Sequence, residues 1–168
     1  MFKSKIVRDR LPDLSSGFYL WVWYADKIPP HIGCSLNGFY YSLKVSGKDQ
    51  ALPVKRVLDL VLKKEIAFLL VELNSDVTKL KLDAYFDQYE HATIDRSCLT
   101  PILDVFNNPT GITLLRDLLS YLEQRDGIKC IFGLNLPETY QDLPVYSTNE
   151  VKSRLLKLER AEKQVNIS

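Results

Sequence analysis

The chain has 168 residues, 46% of them hydrophobic and 26% charged, with a formal net charge of +1. That size suits one domain, residues 1–168, with a core of its own. A near-zero charge with no dense Lys/Arg cluster excludes a general electrostatic affinity for nucleic acid or an anionic membrane.

Three widely spaced cysteines, Cys34, Cys98 and Cys130, form no CxxC pair, which argues against both a disulfide framework and a zinc knuckle. No apolar run reaches the ~18 residues of a membrane span, and the positive N-terminus is not followed by the apolar core of a leader. Glycine-rich phosphate loops, HExxH and GxSxG are all absent from the sequence. The expectation is a cytoplasmic protein with reduced thiols, no cofactor, no metal and no membrane span.

In chain order, residues 1–16 mix charges with Pro12 and two serines, and read as an arm or a short lead-in to the fold. Residues 18–25, FYLWVWYA, read as a strand that is either buried on both faces or forms the wall of a site. Pro29 and Pro30 then hold an extended approach to His31.

Residues 29–45 carry the clearest local signal. Asn37-Gly38 is the dipeptide that a two-residue type I′ turn requires, because both positions need positive φ. Closing that turn pairs Leu36 with Phe39, Ser35 with Tyr40, Cys34 with Tyr41, Gly33 with Ser42, Ile32 with Leu43 and His31 with Lys44. Alternation then puts Ile32, Cys34, Leu36, Phe39, Tyr41 and Leu43 on one core-facing side. His31, Gly33, Ser35, Tyr40, Ser42 and Lys44 share the other side, where a site is expected to open beside the bare glycine. Cys34 points away from His31, whereas Ser42 lies diagonally from it, within reach of the ring.

Residues 46–53, SGKDQALP, read as a loop, and residues 54–64 as a helix with Val54, Val57, Leu58, Val61 and Leu62 on one stripe. Residues 66–73 form an apolar run of strand length, followed by turn and cap residues 74–76 and a helix over residues 77–90. Two readings are open for Cys98. With Ser97 as cap it is the first helical residue, where the helix dipole favours the thiolate; with Thr100 as cap and Pro101 next, it lies outside the helix. Residues 112–124 predict another helix, residues 127–136 a strand with Cys130 facing the core, and residues 150–163 a charged helix with a stripe of Val151, Leu155 and Leu158. That last helix, with the tail to residue 168, either lies on the domain or meets a protein partner. The fold class expected is α+β, a small, largely antiparallel sheet with packed helices.

The His31-Ile-Gly strand, the Asn-Gly turn and the returning strand resemble the histidine hairpin of the NlpC-type papain-like superfamily. A histidine that precedes a cysteine near a helix start resembles its circularly permuted branch, the lecithin-retinol acyltransferase-like and YiiX-like proteins. The resemblance spans roughly residues 18–106 and implies a permuted papain-like fold. By position it makes Cys98 the nucleophile, His31 its base and Ser42 the place of the third, ring-orienting group, where family members usually carry His, Asn, Gln or an acid. It implies a thiol hydrolase or transferase acting on a peptide, amide or acyl-ester bond, with a thiol of lowered pKa. The rival expectation is a non-catalytic binding or scaffold domain, which Ser42 favours. A third option pairs His91 with Cys98.

Overall fold

A computed structural model describes residues 5–167 and gives an α+β architecture: among the described residues, a seven-stranded mixed sheet carries five helices. The strands are β1 (Ile6–Val7), β2 (Phe18–Trp23), β3 (His31–Leu36), β4 (Phe39–Lys44), β5 (Gly47–Pro53), β6 (Phe68–Leu73) and β7 (Ile128–Leu134). They lie in the order β1-β7-β6-β2-β3-β4-β5, antiparallel throughout except for the parallel pair β1 and β7. The helices are α1 (Val54–Lys63), α2 (Lys79–Asp87), α3 (Thr100–Val105), α4 (Leu115–Glu123) and α5 (Thr148–Ile167). None of them is long and apolar enough to cross a membrane.

The Asn-Gly turn forms as expected, with φ of 48° at Asn37 and 89° at Gly38. The pairs from Leu36–Phe39 to Gly33–Ser42 take the expected register, and there the β3–β4 ladder ends. Ile32–Leu43 and His31–Lys44 lie outside it. Two other segments depart from expectation. Residues 47–53, read as a loop, form β5 by pairing their backbone with β4; Lys48, Asp49 and Gln50 add polar side-chain bonds, and no apolar alternation marks the strand. Ile6–Val7, within the stretch read as an arm or lead-in, adds a strand at the far edge. The α2 cap is Thr78, whose hydroxyl accepts from the Lys81 N–H at 3.3 Å, not the turn residues before it.

Two apolar layers follow from the alternation of β2, β3, β4 and β6. One face packs Leu20, Cys34, Tyr41 and Val71 against α2, α3 and α4, with Leu155 of α5 joining them. The other packs Trp21, Trp23, Tyr40 and Phe68 against Val57 and Val61 of α1. Cys34 is fully buried in the first layer, as the hairpin geometry requires. Phe39 is the exception among the six expected core residues; it is 39% exposed, with the Lys79 ammonium 5.4 Å from its ring centre.

The opposite side of the hairpin is not the open polar face expected. A β-carbon on Gly33 would stand 2.5 Å from the Tyr40 hydroxyl, so the tyrosine fills the space that the bare glycine leaves. Ser35, also fully buried, accepts the Trp21 indole N–H at 2.9 Å, which satisfies both polar groups inside the layer.

Candidate active site

The cavity that matters lies at the end of the hairpin, where β3 and β4 part. It encloses about 370 Å³ and is walled mostly by apolar side chains, among them Leu43, Leu99, Leu115 and Leu155. At ~30 Å³ per non-hydrogen atom that volume holds roughly a dozen atoms of a ligand. His31 and Cys98 both border it. The stripe of Val151, Leu155 and Leu158 turns inward and forms one wall, so α5 lies on the domain by that face.

Cys98 sits in a turn two residues before α3, outside the helix; Leu99 is the cap position and Pro101 falls in the first turn. The second of the two sequence readings is therefore nearer the structure, and the six-residue helix lends the thiol little dipole. What faces the sulfur instead is backbone: the N–H groups of Ile32, Cys98 and Leu99 each favour its thiolate. In the hairpin register Ile32 is a position whose N–H points toward β4. The ladder has ended there, and the sulfur stands against that N–H in place of a strand. The cysteine is thus brought up to the residue that follows His31.

Burial nevertheless outweighs the three N–H groups and pushes the Cys98 thiol up to about 11. This is opposite in direction to the lowered pKa that the resemblance implied. The reason is that the expected helix dipole and imidazolium are both missing at rest, while the cavity wall is apolar. His31 moves the other way, down to about 4, first because burial disfavours its charge and then because of the nearby Lys44 ammonium; Asp49 opposes both. At neutral pH the thiol and the imidazole that border the cavity are both uncharged.

His31 opens β3 opposite Trp23, so alternation sets it toward the layer of Trp23 and Tyr40, whereas Cys98 packs against the Ile32 side. The two borders meet only around the end of the strand. Ser42 does not join them: it is fully buried and its hydroxyl donates to Asp49 Oδ2 at 3.0 Å. Asp49 also accepts from the Lys44 ammonium at 3.0 Å. Asp49 is the acid whose charge favours a protonated His31, and sequence reasoning missed it because β5 carries no apolar signal. His91 borders a separate polar cleft with Asp95 and Arg96, and its Nδ1 lies 3.1 Å from the Ala92 carbonyl, so the cavity does not bring it to Cys98. Cys130 is half-buried against the α1-side layer. Among the described residues no three His, Cys, Asp or Glu side chains cluster as a metal site would require.

No family model, no curated protein and no solved structure matches the chain. The functional reading therefore rests on the cavity and its two reactive groups.

Proposed function

We propose that the protein is a thiol hydrolase or acyltransferase in which Cys98 attacks an amide, peptide or acyl-ester carbonyl held in the cavity, with His31 as base. The observation that carries this reading is that one cavity is bordered by both residues, far apart in the chain, with the sulfur against the backbone N–H of Ile32. In this reading the fold is a permuted papain-like arrangement, and Asp49, rather than Ser42, supplies the charge behind the histidine. Three unpaired cysteines fit a reducing compartment such as the cytoplasm.

The resting pair constrains the mechanism. With the thiol pushed up to about 11 and the ring down to about 4 by burial, moving the proton before attack is uphill in the resting cavity. Proton transfer must therefore accompany C–S bond formation, as in a serine–histidine pair, rather than precede it.

The same electrostatics favour a second reading, a non-catalytic domain that binds an apolar ligand in the cavity and offers the outer, charged face of α5 to a protein partner. The experiment that separates them is acylation by a p-nitrophenyl acyl ester, read by intact-protein mass and peptide mapping. The enzyme reading expects an acyl adduct on Cys98, absent in Cys98→Ala and slowed about 100-fold or more in His31→Ala. Ligand binding without an adduct on Cys98 would leave the binding domain.

A further inference from the structure

Attack by a thiol on a carbonyl leaves a negative oxygen that needs a donor, and this inference, which rests on the reading above, concerns where that donor is. Of the backbone N–H groups at Cys98, that of Leu99 already donates to Ser97 Oγ at 3.2 Å and those of Ile32 and Cys98 favour charge on the sulfur, while the six-residue α3 begins beyond it. Neither is an obvious donor for an oxygen on the far side of the carbonyl carbon. The remaining polar side chains of the cavity include Tyr146, from the irregular segment that leads into α5.

We propose that Tyr146 is a catalytic residue of this site, its hydroxyl donating a hydrogen bond to the oxygen of the carbonyl that Cys98 attacks. Tyr146 borders the cavity together with Cys98, Leu114 and Leu115. Its oxygen faces the backbone N–H of Leu115, the first residue of α4, and so has a donor to accept from. Among the described residues that hydroxyl donates to no protein acceptor, and its single proton is available to a ligand. The phenol is close enough to Cys98 that a charge on one disfavours a charge on the other. Burial first, and then that proximity, push Tyr146 up to about 12, so the proton stays in place at working pH.

The step balances without a co-reactant. A sulfur lone pair forms the C–S bond, the carbonyl π pair moves to the oxygen held by Tyr146, and the thiol proton passes to His31. Collapse reforms the carbonyl and expels the alcohol or amine, which takes the proton from His31. Water then attacks the thioester by the same route, releasing the acid and restoring the thiol.

The test compares two reactions of Cys98 in wild type and Tyr146→Phe: acylation by the p-nitrophenyl ester, which passes through an oxyanion, and alkylation by iodoacetamide, which does not. Loss of one oxyanion donor should slow acylation about 100- to 1,000-fold while alkylation at pH 9 stays within about twofold. Unchanged alkylation also reports that the variant is folded around the thiol. Acylation of Tyr146→Phe at the wild-type rate would overturn the role of Tyr146 and leave the thiol reading intact. An equal fall in both reactions would make Tyr146 a structural neighbour of the thiol and overturn it too. Absence of any Cys98 adduct in wild type would overturn both.

Discussion

The Tyr40 hydroxyl lies 2.5 Å from where a β-carbon on Gly33 would stand, with two further ring carbons within 2.9 Å. The ring is held by the Trp23 indole, whose N–H donates to that hydroxyl at 2.9 Å, and by edge contact with Trp21 at 4.8 Å between centres. It cannot swing away cheaply. Gly33→Ala should therefore destabilise the protein by about 1–3 kcal/mol, the range for overpacking a filled core. Urea midpoints check this, and combining the change with Tyr40→Ala should recover part of the loss if the clash is with the ring.

Trp21 and Ser35 form a fully buried polar pair. Ser35→Ala leaves the indole N–H without its acceptor, at a cost of about 1–3 kcal/mol. Trp21→Phe in the same background removes the orphaned donor, so a double-mutant cycle should show the two losses to be less than additive.

The lowered pKa of His31 fixes a pH dependence of stability. The unfolded ring takes up a proton below about 6.5 and the folded one only below about 4. Between those values the unfolded state binds more protons, so stability falls as pH is lowered through that window. The expected loss from pH 7 to pH 5 is up to about 2 kcal/mol at ~1.4 kcal/mol per pH unit. His31→Gln should flatten that part of the curve, measured as urea midpoint against pH, and an unchanged slope would refute the assignment.

Much of this fold was legible because its signals are local. Asn37-Gly38 fixed a turn and with it four cross-strand pairs; Val54, Val57 and Val61 marked a helix stripe. What stayed hidden depends on distant partners. The strand at Lys48–Gln50 is made by bonds to α2 and β4 rather than by its own pattern, and Asp49 was hidden with it. The Cys98 environment is assembled from the end of β3, the segment before α3, the start of α4 and the wall of α5, and no spacing in the sequence announces an apolar enclosure. The direction of the thiol pKa was missed for that reason.

That enclosure gives a reactivity profile. With Cys34 and Cys130 replaced by alanine, alkylation of Cys98 should stay slow through pH 8 and rise toward an inflection near about 11. A free peptide thiol inflects near 8.5. Rapid labelling at pH 6 would show instead that the sulfur meets an imidazolium that the resting structure lacks.

Ile6 and Val7 pair in parallel with Ile131 and Phe132, so nearly the first residues of the chain complete a sheet edge whose partner is made near the end. During synthesis that edge cannot close until β7 has left the ribosome, and Ile6 and Val7 must wait unpaired while the β2–β3–β4 hairpins form at the other side of the sheet. Arg8 bonds the Pro137 carbonyl at 3.1 Å, which ties the late-docking N-terminal segment to the irregular stretch that carries Tyr146 toward the cavity. The α5 wall of the cavity is made after both reactive residues, so the nascent protein holds a thiol and a histidine well before it has a chamber around them.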